Sequence, residues 1–255
     1  MSVRQVGAVV EYQLTGFLRV WRGTVFGAVL MPVVFFLAIG VSVGMLVDGR
    51  HGVDGGYASF VGAGLAVFVG AQIGLMESGI PVFAALNWHR AFIANQYTPV
   101  SPAHVVTGQI AFITLRAAAS ATIFLAVMAA FGATHSPGAV LLPLIAALTA
   151  ASLAGLNFAV AASARTSFQV ESVTKMLTTV LLLVSGVFFP VTLLPSWLEA
   201  VTWVSPLWHA VELGRAANTG TGSTGPVLVH VGVLVACTLA GVLLATRRLT
   251  ARLES

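Results

Sequence analysis

Charge is scarce in this sequence: Asp, Glu, Lys and Arg make up 8% of its 255 residues, against 58% hydrophobic residues. A chain with so little charge cannot keep that much apolar surface in water, so a soluble globular domain is excluded and the bilayer is the solvent. Lysine is nearly missing. The one lysine, Lys175, follows Thr174 and not a glycine, so no G-x-x-x-x-G-K-[ST] phosphate loop exists and the chain is not itself an ATPase. Cysteine is limited to Cys237, inside an apolar run, which excludes an intramolecular disulfide and leaves the thiol as packing. His51, His89, His104, His135, His209 and His230 are scattered without the spacing of zinc ligands, so no metal is expected. There is no G-x-S-x-G elbow, and the acids are too few and dispersed for a catalytic pair, so the chain is not read as an enzyme. No repeat of fixed period is visible, which leaves an inverted-repeat transporter without support.

What is present is a set of six long apolar runs, at about 24–47, 57–85, 105–131, 138–163, 172–190 and 226–246. A spanning helix needs roughly 20 such residues, and runs of this length with Gly and Ala inside favour helices over the shorter, alternating strands of a barrel. The expected fold is an all-α polytopic membrane protein of six transmembrane helices. The widest gap, Val191–Gly225, is on the order of 35 residues, too short for a soluble module, so residues 1–255 are read as one membrane domain. The first run is longer than the core of a cleavable signal and follows extra polar sequence.

The pI of about 10.0 could suggest nucleic acid, but the placement of the basic residues argues for a membrane orientation instead. Arg4, Arg19 and Arg22 precede the first run, Arg90 follows the second, Arg165 and Lys175 flank the fourth loop, and Arg247, Arg248 and Arg252 follow the last. The opposite loops hold Arg50 and Arg215, diluted by Asp48, Asp54, Glu199 and Glu212. This positive-inside asymmetry places both termini in the cytoplasm and calls for contact with anionic lipid, not with nucleic acid.

Before the first run, Val6, Val10, Leu14, Phe17 and Trp21 share one helical face and Arg4, Glu11, Thr15 and Arg22 the other, as in an amphipathic helix lying on the membrane. Ser101-Pro102, Ser136-Pro137 and Ser205-Pro206 each offer an N-cap followed by proline, and Gly225-Pro226 serves the last run. The loop after the second run reads Asn87-Trp88-His89-Arg90-Ala91-Phe92-Ile93-Ala94-Asn95-Gln96-Tyr97-Thr98-Pro99. Asn87 can cap a short helix bearing Trp88, Phe92 and Tyr97, either a knob for a partner groove or an interfacial aromatic belt. Between the fifth and sixth runs, Ser196 and Glu199 form an S-x-x-E capping box after Pro195, opening a short helix that ends near Pro206. A second follows to about Asn218, with Glu212 and Arg215 spaced to pair. A broken, re-entrant hairpin of this kind fits an outer gate or a structural plug.

Two ionisable residues fall inside apolar runs. Glu77 and Arg116 sit roughly 12–17 Å from the inner surface at 1.5 Å per residue. Unpaired charges at that depth are costly, so they either pair across neighbouring helices or line a polar path.

These features together resemble the type-2 ABC exporter permeases, and most of all the branch containing the nodulation lipo-oligosaccharide and antibiotic export permeases. The strings that carry the likeness are Tyr97-Thr98-Pro99-Val100, Ser185-Gly186-Val187-Phe188-Phe189-Pro190, Leu194-Pro195, and Pro206-Leu207-Trp208-His209 followed by Leu213 and Arg215. Where that family often has a Trp-acidic pair, this chain has Phe92-Ile93. The resemblance implies the transmembrane subunit of an exporter in a bacterial-type inner membrane, paired with a second permease subunit as a homo- or heterodimer. Each would dock a separate cytoplasmic ABC ATPase, with ATP and Mg on that partner and no cofactor in this chain. Trp88, Arg90, Phe92, Tyr97, Thr98 and Pro99 would then form the coupling helix. Phe188, Phe189, Pro190, Pro195, Trp203, Pro206 and His209 would belong to the outer gate. The implied cargo is amphipathic: a glycolipid, another lipid-like molecule or an antibiotic.

Three other readings compete. A proton-coupled secondary transporter would use Glu77 and need no ATPase. A lipid-modifying enzyme would need a polar constellation at one membrane face, and none is found. A scaffold would tolerate disruption of the Phe92–Pro99 loop.

Overall fold

A computed structural model describes residues 3–51, 56–89, 91–94 and 97–254, and among these there is no strand. Within them eleven α-helices follow one another: α1 (Val3–Phe35), α2 (Ser42–His51) after a π-helical segment (Phe36–Val41), α3 (Tyr57–Ser78), α4 (Ile80–Asn87), α5 (Ala91–Ala94), α6 (Pro102–Ala130), α7 (Leu142–Ser163), α8 (Ser167–Val184), α9 (Ser196–Thr202), α10 (Pro206–Thr219) and α11 (Thr224–Leu253). Six of the described stretches are long and apolar enough to cross a membrane: Phe26–Leu46, Tyr57–Asn87, Pro102–Ala130, Pro137–Ser163, Ser167–Val184 and Thr224–Leu253. The fifth starts and stops earlier than its apolar run. Ser185 caps it, and Gly186, at φ +75°, turns the chain out of the helix before the run ends. The sixth extends past its run and carries Arg247, Arg248 and Arg252 on its last turns.

The amphipathic stretch is not a helix of its own. It is the first half of α1, which continues unbroken into the first span. Its packed stripe also differs from the expected one. Val9 fits over Gly108 so closely that a β-carbon there would lie 2.6 Å from the Val9 β-carbon, and Phe17 meets Phe112 edge-on at 5.9 Å. Leu14 and Trp21 remain exposed. The stripe faces α6 and not lipid, so it includes Gln5, which donates to the Pro99 carbonyl, and Gln13, which donates to the Gln109 side-chain oxygen.

Two capping expectations change. Asn87 does not open the loop helix; its Nδ2 donates back to the Phe83 carbonyl at 3.0 Å and closes α4. Pro195, and not Ser196, precedes the first turn of α9, so the expected capping box is not formed. Ser136 does cap, accepting from the Gly138 N–H at 3.0 Å.

The second span is the axis of the bundle: 83% of its most apolar window is buried, against 11% for the fifth and sixth. It packs against α6, α7 and α10, and α7 in turn packs against α11. Small residues set these distances, as they do where helices associate without a hydrophobic driving force. A β-carbon on Gly70 would sit 2.0 Å from the Ala146 carbonyl oxygen, and one on Gly155 would sit 2.8 Å from the Gly241 backbone. One end of the bundle collects the N-terminal half of α1, the α5 loop and the C-terminal turn of α11 around Phe92 and Val100. The other end collects Ser59, Ala133, Gly186 and α10, joined by Asn218, which donates to the Ser59 hydroxyl at 2.7 Å and the Ala133 carbonyl at 3.1 Å.

Gly155→Val forces α7 and α11 apart and costs about 1–3 kcal/mol. A detergent melting curve should fall by several degrees, while Gly232→Ala, on the same α11 but with nothing within 4 Å, should leave it in place.

Candidate functional site

The second span cannot be one straight helix. Pro81 has no N–H to offer the Glu77 carbonyl, and its ring crowds that oxygen. The chain breaks at Gly79 (φ −89°, ψ −105°), where α3 ends and α4 begins. A buried carbonyl freed at such a break needs a new donor. Asn157, from α7, supplies it. Its Nδ2 donates to the Leu75 carbonyl at 2.7 Å and lies 3.3 Å from the Ser78 hydroxyl. The Thr174 hydroxyl of α8 closes the node at 3.2–3.3 Å from the Asn157 amide. Asn157, Ser78 and Thr174 are all buried. A β-carbon on Gly79 would come within 2.9 Å of the Thr174 oxygen, so glycine is what lets the fifth span close on the break.

Glu77 lies two residues before that break. It pairs with Arg116 of α6, so the pairing expected across neighbouring helices is present. The guanidinium is nearly buried and the carboxylate is about 25% exposed. Arg116 also lies beneath the Phe17 ring, its Cζ 5.3 Å from the centroid. The second and third spans and the amphipathic half of α1 therefore meet at one charged point.

The loop at the basic end divides into an inward and an outward part. Phe92, expected to be a knob, is 5% exposed and stacks on Phe158 with centroids 6.1 Å apart and planes at 12°. Trp88 and Tyr97 face outward, Tyr97 at 90% exposure. Thr98 and Pro99 are exposed beside it. Arg90 lies outside the described residues. An apolar recess of about 400 Å³ opens between this loop and α1, lined by Val9, Tyr12, Phe92 and Thr98 among others.

At the other end, the hairpin expected to form a gate is tied near both of its ends. The Tyr57 hydroxyl donates to the Phe188 carbonyl at 2.9 Å, and Ser185 and Ser205 share a hydrogen bond at 3.1 Å. Arg215 donates to the Gly186 carbonyl, pairs with Glu212 at 3.0 Å, and stands 3.5 Å over the Phe60 ring. Burial lowers the Arg215 guanidinium to about 10, with Glu212 opposing the shift, so it stays charged near neutrality. Phe189 and Pro190 are half-buried, Pro195 and Trp203 exposed, and Pro206 opens α10.

His209, buried on α10, carries the densest set of contacts in the hairpin. Its Nε2–H donates to the Trp203 carbonyl at 2.9 Å, so its neutral Nδ1 accepts from His230 of α11 at 2.7 Å. Trp208 packs edge-on against both rings. Burial lowers the His209 pKa below the ordinary histidine value, and the bond to Trp203 partly opposes this.

Asn157 and Thr174 were not singled out as site residues in the sequence, and Phe17 and His230 were named there only as part of the apolar face of α1 and as a scattered histidine. Asn157 had a readable signal, a lone amide inside an apolar run, and so did Gly79-Ile80-Pro81. His230 had none, because the contact with His209 exists only once α10 folds back on α11. Among the described residues, no group of three or more His, Cys, Asp or Glu could hold a metal ion.

Replacing Arg116 with Met leaves the partly buried Glu77 carboxylate without its guanidinium and should cost about 2–4 kcal/mol, below the range for a fully buried pair. Pairing it with Glu77→Gln should recover most of the yield of folded protein on size-exclusion chromatography. If the double variant is no better than the single, the pair does more than orient its helices.

Comparison with known proteins adds an independent finding. The sequence profile of the family described as ABC-2 type transporter matches residues 4–218. The chain is similar to Nodulation protein J of Rhizobium leguminosarum bv. viciae, 26% identical over 247 residues, 92% of this chain and 94% of that one. It is 25% identical to Nodulation protein J of Neorhizobium galegae over 232 residues, 87% of each chain. It is 26% identical over 225 residues to the inner membrane transport permease YadH of Escherichia coli (strain K12), covering 86% of this chain and 84% of that one.

Proposed function

Because the chain belongs to the ABC-2 type transporter family, whose members are transport components and not enzymes, we propose that it is the permease subunit of an ATP-driven exporter. It would work beside a second permease subunit and a separate ATPase. The observation that carries this beyond the family is the two-sided loop at the basic end. A segment that receives force from a partner needs an exposed face to be gripped and a rigid anchor to pass the motion on. Trp88 and Tyr97 supply the first and the Phe92–Phe158 stack the second.

The path inward from that anchor is short. Phe158 is the neighbour of Asn157, which holds the break at Gly79 and reaches Thr174 of the fifth span. Displacing Phe92 would pull on the one place where the second span is not a continuous helix, two residues from the Glu77–Arg116 pair. Trp88, Arg90, Tyr97, Thr98 and Pro99 are assigned to partner contact in this reading, and Phe92 to transmission.

The basic residues around this end put it in the cytoplasm by the positive-inside rule, with both termini there and the His209 hairpin outside, in an inner membrane. The hairpin from Phe188 to Arg215 then serves as the outer gate. The cargo is amphipathic, a glycolipid, another lipid-like molecule or an antibiotic, since the deep charges are spent on each other and the core around them is mostly apolar. The relatives named for nodulation and for inner membrane transport fit such a role.

The test is affinity purification of tagged protein from its native membrane, with mass spectrometry and an ATPase assay. A P-loop ATPase should co-purify, and Tyr97→Asp should reduce its recovery at least tenfold without lowering permease yield. A homogeneous, ATPase-free protein that moves cargo in vesicles would overturn the exporter reading and favour proton coupling through Glu77.

A further inference from the structure

The fifth span leaves the bundle sooner than its neighbours. α8 touches α3, α4 and α7, while α11 is pinned to α7 by the Gly155–Gly241 contact. Between α8 and α11, over the last two turns of α7, the surface opens into a groove of about 450 Å³. Its floor and walls are Leu156 and Val160 of α7, Val173 of α8 and Leu244 of α11. Its mouth is polar, with Ser163 at the end of α7, Gln169 in the first turns of α8, and Arg248 near the end of α11.

The gradient along this groove matches one kind of molecule. Gln169, Val173, Met176, Val180 and Leu183 fall on one face of α8. Met176, Val180 and Leu183 are all strongly exposed, so the apolar wall continues beyond the groove. From Gln169 to Leu183 that face runs about 21 Å, longer than the ~15 Å of hydrocarbon in one leaflet. At the polar end, Arg248 is exposed, and none of the ion pairs among the described residues engages it. Glu171, the acid on α8, points away from the groove face and is held by Lys175 at 2.6 Å. Among the described residues, no carboxylate lines the groove. Arg165 and Arg247 add positive charge at the same end.

We propose that this groove holds a phospholipid with an anionic headgroup, its acyl chain against Val160, Val173 and Leu244 and its phosphate on Arg248. A second copy of the chain is the poorer occupant, because docking through this face would bury Arg248 with no acid to meet it. The site needs neither ATP nor transport, so it stands apart from the exporter reading. Only the name of the leaflet, the inner one, rests on the orientation given there.

Native mass spectrometry of the full-length protein in detergent, with equal amounts of phosphatidylglycerol and phosphatidylcholine added, tests it. The wild-type protein should retain phosphatidylglycerol about fivefold over phosphatidylcholine, the preference one arginine at a headgroup supplies. Arg248→Gln, an exposed change that leaves packing alone, should bring the ratio close to one, while Arg252→Gln should not. Ala159→Trp, which fills the groove, should lower retention of both lipids. Should Arg248→Gln keep the full preference, the assignment fails. It also fails if Val173→Cys chains cross-link to each other in membranes, which would make the groove an interface between copies.

Discussion

In hydrocarbon a backbone carbonyl without a donor costs several kcal/mol, and the second span contains a place where the helix itself cannot supply one. Pro81 removes the N–H that Glu77 would have used, Gly79 breaks the helix, and the Leu75 carbonyl turns to Asn157. Much of the bundle is arranged around that substitution. Asn157 has to come from a helix in direct contact, so α7 must lie close to α3, which Gly70 and Gly74 allow. The Asn157 amide has capacity left over and uses it on Thr174, which brings in the fifth span. A single freed carbonyl thus adds the fifth span to the close packing of α3 on α7.

The same requirement separates the parts of the molecule that can move from those that cannot. The α3–α7–α11 contacts are backbone on backbone, with no room for a side chain, and such surfaces slide poorly. The break at Gly79 is held by side-chain hydrogen bonds of a directional kind, which can exchange partners. Ser78 of α3 and Thr174 of α8 both lie within reach of the same amide that holds the Leu75 carbonyl.

The six spans, their order and their approximate limits were legible because apolar length is a strong signal and no soluble domain obscures it. The Glu77–Arg116 pair was legible for the same reason: two charges in apolar runs at similar depth have few alternatives. What was not legible depended on facing. Phe92 and Tyr97 look alike as loop aromatics, yet one is buried on Phe158 and the other almost fully exposed, a difference set by where α7 ends and not by local pattern. The amphipathic half of α1 was read with its apolar face toward lipid, but α6 takes a neighbouring stripe, with glutamines in it, because Gly108 lets the helices approach. The early end of the fifth span was hidden too, since Val187 and Phe188 are as apolar as the helix before them and only the positive φ of Gly186 marks the turn.

The hairpin at the far end is too apolar for water and too short to span, so its polar groups have to find partners on the spans beside it. Its two ends are tied, Phe188 to Tyr57, Ser205 to Ser185 and His209 to His230 on the spans, and Gly186 to Arg215 within the hairpin itself. Arg215 is central to this, because one guanidinium serves a carbonyl, a carboxylate and an aromatic face at once. The hairpin is thus tied near both of its ends, while Leu193, Trp197 and Trp203 toward its tip are exposed. Its ties run to α3, α8 and α11, so α10 and the Gly186 turn must move with those spans or break several buried bonds together. A change at the Gly79 break that tilts α3 or α8 therefore reaches the far end through Tyr57 and Ser185.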